Sequence, residues 1–150
     1  MLGLRIIAFF ALGSILYTVV VVTIASRNGV YPTAEQGMIA RAEKYYMHDL
    51  QVKILYAGTN SFDGSDPHIW YVIAEVRASA RADGSELGRN GCDAPGSFFL
   101  QLKDGSWVHV PEGAFPGFVG FWMKVFDMAG EGHQNSSTSW SPNQAPGFCQ

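Results

Sequence analysis

The chain has 150 residues, ten Lys plus Arg against thirteen Asp plus Glu, and a formal net charge of −3. No basic block is longer than two residues, so a surface tracking nucleic-acid phosphates is not indicated. Setting aside an apolar N-terminal run and a polar tail leaves about a hundred residues, enough for one small domain with one core.

Residues 6–25, IIAFFALGSILYTVVVVTIA, carry no charge. At about 1.5 Å per residue this helix spans roughly 30 Å, the thickness of a bilayer's hydrocarbon core. Its polar members, Ser14, Tyr17, Thr18 and Thr23, are all satisfiable within a helix. The lipid bilayer is therefore the expected partner of residues 6–25. A cleaved secretory signal has an apolar core of only about 7–15 residues. Residues 1–27 thus read as an uncleaved signal anchor, with cleavage after Ala25 as the alternative. Arg5 and the α-amino group nearly balance Arg27, Arg41 and Lys44 in positive-inside counting. The short N-terminal flank favours an N-terminus in the cytoplasm and a C-terminal domain outside it. Type IV pilins also begin with a long apolar helix, but no acidic residue stands near the start of this one.

Residues 28–32 read as a linker, with Tyr31 suited to the membrane interface. Thr33-Ala34-Glu35-Gln36 is a capping box following Pro32. It predicts a helix over residues 34–50 with Ile39, Ala42, Tyr46 and Leu50 on its apolar face, widened by Met38 and Tyr45. Arg41, Glu43 and Lys44 face away, and His48-Asp49 closes the helix, where an imidazolium complements the dipole. Val52, Ile54 and Tyr56 alternate with Gln51, Lys53 and Leu55, a strand. Residues 58–68 form a loop. Its Asp63-Gly64-Ser65-Asp66-Pro67-His68 gathers two carboxylates and an imidazole but lacks the ligand spacing of a calcium or zinc site. No metal and no cofactor is expected.

Residues 69–80 form a long strand with Trp70, Val72, Ala74, Val76 and Ala78 on one face. Residues 81–96 are a polar loop containing Cys92. Residues 97–103 and 106–110 are strands joined by Asp104-Gly105, read as a type I′ turn. That register pairs Leu102 with Trp107 and Leu100 with His109, and sets His109 on the face of Phe98 and Leu100. Residues 116–126 predict a short helix with Phe118, Phe121, Trp122, Val125 and Phe126 in one apolar stripe. Residues 129–150 lack periodicity and are expected to be disordered, apart from a tie through Cys149. Asn135-Ser136-Ser137 matches the glycosylation acceptor pattern.

The expected architecture is α+β. An N-terminal transmembrane helix precedes a domain over residues 33–128, in which an amphipathic helix packs on a four-stranded antiparallel sheet and a short aromatic helix follows. In outline this resembles the cystatin-like and NTF2-like folds, a likeness that says little about function. Cys92 and Cys149 permit one disulfide if the domain is exported.

No nucleotide-binding glycine loop, zinc spacing, nucleophile elbow or HExxH occurs, so the expected role is non-catalytic: binding a partner or assembling with another envelope protein. Phe118, Phe121, Trp122 and Phe126 are the candidate partner or membrane surface. The alternative is a small pocket enzyme or ligand-binding domain, with His109, Trp107 and Trp70 lining a cavity between helix and sheet. A third reading is a subunit of a membrane complex held through its anchor.

Overall fold

The computed structural model describes residues 2–59, 66–132 and 149. Among them the chain runs α1 (Leu2–Asn28), β1 (Val30–Tyr31), α2 (Ala34–Tyr45), β2 (Tyr46–Met47), β3 (Gln51–Thr59), β4 (Ile69–Arg77), β5 (Ala80–Arg81), β6 (Cys92–Asp93), β7 (Gly96–Gln101), β8 (Trp107–His109) and α3 (Pro116–Val125). The fold is α+β, with an antiparallel sheet of six strands rather than four, in the order β1-β8-β7-β4-β3 with β6 also beside β4. The added strands lie in stretches read as linker and loop. Two residues are too few to carry an alternating pattern, and such strands are defined by what they pair with. Thus β1 joins β8 through Val30↔Val108, and β6 joins β4 through Arg77↔Cys92.

Each face of the sheet carries its own core. On one, Ala34, Met38 and Ala42 of α2 pack with Trp70, Val72, Val76, Phe99 and Trp107. On the other, Val21, Val22 and Ala25 of α1 and Val119 and Met123 of α3 pack with Ile69, Leu100, Val108 and Val110.

The helix α1 is long and apolar enough to cross a membrane. Ser14 Oγ donates to the Ala11 carbonyl (2.8 Å) and Thr18 Oγ1 to the Ser14 carbonyl (3.0 Å), so both hydroxyls are satisfied within the helix. Thr18, Val21, Val22 and Ala25 fall at i, i+3, i+4 and i+7 and are buried against the body. The second half of α1 is therefore part of the domain's core, not a bare tether.

Thr33 caps α2, its side chain accepting from the Gln36 N–H at 3.1 Å. The helix stops at Tyr45, not Leu50, because Tyr46–Met47 leaves to pair with Ala80–Arg81. His48 and Asp49 then turn the chain with positive φ (59° and 49°), so His48 serves no helix terminus. The buried face is Ala34, Gly37, Met38 and Ala42, while Ile39 and Tyr45 are exposed. Small residues win because α2 lies very close to the sheet: a Cβ on Gly37 would come within 2.5 Å of the Phe99 ring.

Two bulges reset the faces. In β3 the register shifts between Ile54 and Tyr56, so Tyr56 pairs with Ile73 while Ile54 pairs with Ala74, and Ala57 takes over the α2 side opposite Val72. In the β7–β8 hairpin Phe99 pairs with His109 and Gln101 with Trp107, one residue off the expected register. Gly105 N–H bonds to the Leu102 carbonyl, and Gly105 alone in the turn has positive φ (86°). This is a type I turn with a glycine bulge, not type I′. One residue of slip moves every side chain to the other face.

Within the tail read as disordered, residues 129–132 are held on the domain. Leu102 bridges to Ala129, and Gln101 Oε1 accepts from the Gly132 N–H at 2.8 Å. The glycosylation pattern Asn135-Ser136-Ser137 lies outside the described residues. Cys149 is bonded to Cys92, with Cα atoms 5.9 Å apart.

Candidate functional site

The bulge at Gly105 turns His109 towards α2, away from the face of Phe98 and Leu100 where the expected register set it. Its ring meets Phe99 edge-on at 5.4 Å and lines a cavity of about 60 Å³ with Tyr31, Gly37, Arg41, Lys44 and Tyr45. That volume holds about two waters, well below the few hundred Å³ of a substrate pocket. Burial, then the Arg41 charge, pushes His109 down to about 4, against an opposing pull from Glu112 and a further push from Lys44. The imidazole is thus neutral at pH 7 and a weak base there. Trp70 and Trp107 share its side of the sheet, but their rings pack on each other at 4.8 Å and both are buried in the core. Trp70 Nε1 donates to the Pro67 carbonyl (3.1 Å).

This arrangement makes stability pH-dependent. An unfolded His titrates near 6.5. With the folded value depressed, the contribution of His109 is fully present above pH 6.5 and is lost as pH falls from 6.5 towards 4. Burial also lowers His68, which acts in the same direction. Allowing for partial exposure, His109 is worth about 1–2 kcal/mol of this slope. Urea unfolding of wild type and His109→Gln across that window checks it: the variant should lose less stability on acidification. Equal losses would rule His109 out as the source.

A larger cavity of about 280 Å³ opens beside the first, lined by Met38, Arg41, Tyr45, Tyr46, Arg81, Asp83 and Glu112 among others. Arg41, read from sequence as facing away, lines both cavities, pairs with Glu112 and lies over the Tyr45 ring at 4.7 Å. Arg81 donates to Asp93 Oδ2 from Nε (2.9 Å) and Nη2 (2.6 Å), and to Ser85 from Nη1. Burial, reinforced by Asp93, raises the Tyr46 phenol above its ordinary value. Each guanidinium here already has a carboxylate partner.

The loop with Asp63 and His68 is described only from Asp66 onward. Asp63–Ser65 lie outside the described residues, Asp66 pairs with Lys124, and no group of metal-ligating side chains occurs among the described residues. His68 is buried against α3: its Nε2 donates to the Gly120 carbonyl at 3.3 Å, and its buried Nδ1 has no hydrogen-bond partner among the described residues. The partners of Arg41, Arg81 and His68 carried no sequence signal, since they lie 71, 12 and 52 positions away.

The aromatic stripe of α3 faces outwards. Val119, Gly120 and Met123 dock on the sheet, where a Cβ on Gly120 would come within 2.6 Å of Ile69. Phe118, Phe121 and Phe126 are exposed, and Trp122 is half-buried with its ring stacked on Phe126. Between α3 and α1 lies an apolar groove of about 680 Å³, lined by Phe9, Phe10, Gly13, Ser14, Tyr17, Gly113, Phe115 and Phe118. Tyr17 packs edge-on against Phe118 at 5.8 Å, and its hydroxyl accepts from the Phe115 N–H at 3.4 Å.

Comparison of the chain with protein-family models, curated proteins and solved structures finds no match.

Proposed function

We propose that the chain is a single-pass membrane protein, anchored by α1 with its N-terminus in the cytoplasm, whose α+β domain outside is a non-catalytic binding or assembly module. The observation that carries this reading is a Cys92–Cys149 disulfide on a chain that opens with a bilayer-length apolar helix. Such bonds persist in oxidising compartments and are rare in the cytosol. A pair of cavities too small or too fully ion-paired for obvious chemistry supports a binding role over catalysis, with an envelope protein as partner. The test is a membrane-impermeant thiol reagent applied to intact cells. Labelling only after reduction is the expected result. Labelling only after lysis, with no need for reductant, would mean reduced thiols in the cytoplasm and sink the topology.

A second reading rests on the 280 Å³ cavity. Glu112 is largely exposed, at 82%, and an exposed ion pair contributes only about 0–1 kcal/mol. A small carboxylate ligand therefore displaces it from Arg41 at little cost, with Tyr45 and Tyr46 beside it. Acetate or benzoate titrated into wild type and Arg41→Ala distinguishes the two readings. Loss of a binding isotherm in the variant favours the pocket, and its absence from wild type removes it.

A role as a subunit held through its anchor is tested by exchanging the helix. The exchange must stop before Tyr17, because residues 17–25 contribute to the core.

A further inference from the structure

We infer that the outer face of α3 and the groove between α1 and α3 lie within the bilayer, and that the groove holds the acyl chain of a bilayer lipid. The inference rests on α1 being the membrane anchor and follows from length. Arg5 and Arg27 bracket the apolar run of α1, 22 residues apart, or about 33 Å of helix, which matches a hydrocarbon core of roughly 30 Å. The body does not begin where that span ends. It engages the helix from Tyr17 onward, where Phe115 and Phe118 meet the Tyr17 side chain. Tyr17 lies only about 18 Å along the helix from Arg5. With Arg5 at one boundary, the helix still has roughly 12 Å of hydrocarbon to cross when it meets the domain. Either the bilayer thins by that distance, at a cost that rises with every ångström of mismatch, or this side of the domain enters it.

The surface at that level is built for entry. Phe115 is 73% exposed and Phe121 56%, and the groove lining is apolar apart from Ser14, whose hydroxyl is spent on the Ala11 carbonyl, and the Tyr17 hydroxyl, which accepts from Phe115. Lys124, the cation of α3, is paired with Asp66. The groove opens on the same lipid that surrounds Phe9 and Phe10, so an acyl chain enters sideways without passing through water. Soluble proteins rarely leave so continuous an apolar patch uncovered.

The test uses the full-length chain in vesicles of phosphatidylcholine brominated on its acyl chains, against ordinary phosphatidylcholine. In a background with Trp122 and Trp140 changed to Phe, one variant carries Phe118→Trp in the groove and another Ile7→Trp on the anchor. The remaining native Trp70 and Trp107 emission is subtracted with the background chain. The expected result is bromine quenching at position 118 comparable to that at position 7. Quenching at 7 but not at 118 leaves the anchor standing and overturns the lipid-filled groove. If that result comes with a dimer mass in detergent, the groove is covered by a second copy instead. Absence of quenching at position 7 overturns the anchor reading and this inference with it.

Discussion

Phe99→Ala should lower the folding free energy by about 3–5 kcal/mol. Phe99 is fully buried, carries the edge of His109 and lies directly beneath Gly37 at the closest approach of α2 to the sheet. Truncation leaves a void that α2 cannot fill, since no side chain projects from Gly37 to occupy it. Domains are stable by only about 5–15 kcal/mol, so the variant sits near unfolding. Phe99→Leu keeps much of the volume and should lose distinctly less. Urea titration of the detergent-solubilised chain measures both, with the Trp70–Trp107 pair in the same core as reporter. A loss below about 1 kcal/mol for the alanine variant would mean that α2 collapses onto the gap and that its packing is not rigid.

The paired change Leu12→Arg and Leu16→Arg should abolish stable membrane insertion. Both side chains are exposed on α1, at 67% and 63%, so neither substitution disturbs the body. Each charge near the centre of a spanning helix costs about 2.5–3.5 kcal/mol, or roughly 5–7 together. Carbonate extraction of cell membranes reads the result: wild type stays in the pellet, and the variant moves to the supernatant or is degraded. An unchanged pellet fraction would show that residues outside α1 hold the protein on the membrane. That outcome would shift weight to the aromatic face of α3.

The elements with long, regular patterns were legible in the sequence. The apolar run of α1, the Thr33 cap, the Trp70-to-Val76 face of β4 and the bounds of α3 all follow from periodicity or cap chemistry. The two errors of register share one cause: a single residue inserted into a strand. The Leu55 bulge and the Gly105 bulge each leave the residue types plausible on either face, so composition did not mark them. For His109 the consequence is complete reversal, from the α1 side of the sheet to the α2 side. The side of α3 that docks is Val119, Gly120 and Met123, opposite the aromatic stripe. Gly120 permits the closest approach to the sheet and decides which side docks. The large aromatics Phe118, Phe121 and Phe126 on the opposite side are left exposed. Arg41 and Arg81 were missed because their partners, Glu112 and Asp93, lie far along the chain or on a two-residue strand.

The Cys92–Cys149 bond closes a ring that contains β7, β8 and α3. Inside that ring the backbone is no longer the only connection between its two ends. A protease that cuts one peptide bond between residues 93 and 148 linearises the ring but releases no fragment. The nicked protein migrates as a single species until its thiols are reduced, and only then separates into two bands. Under the topology proposed above, a first cleavage would therefore shed nothing from the surface.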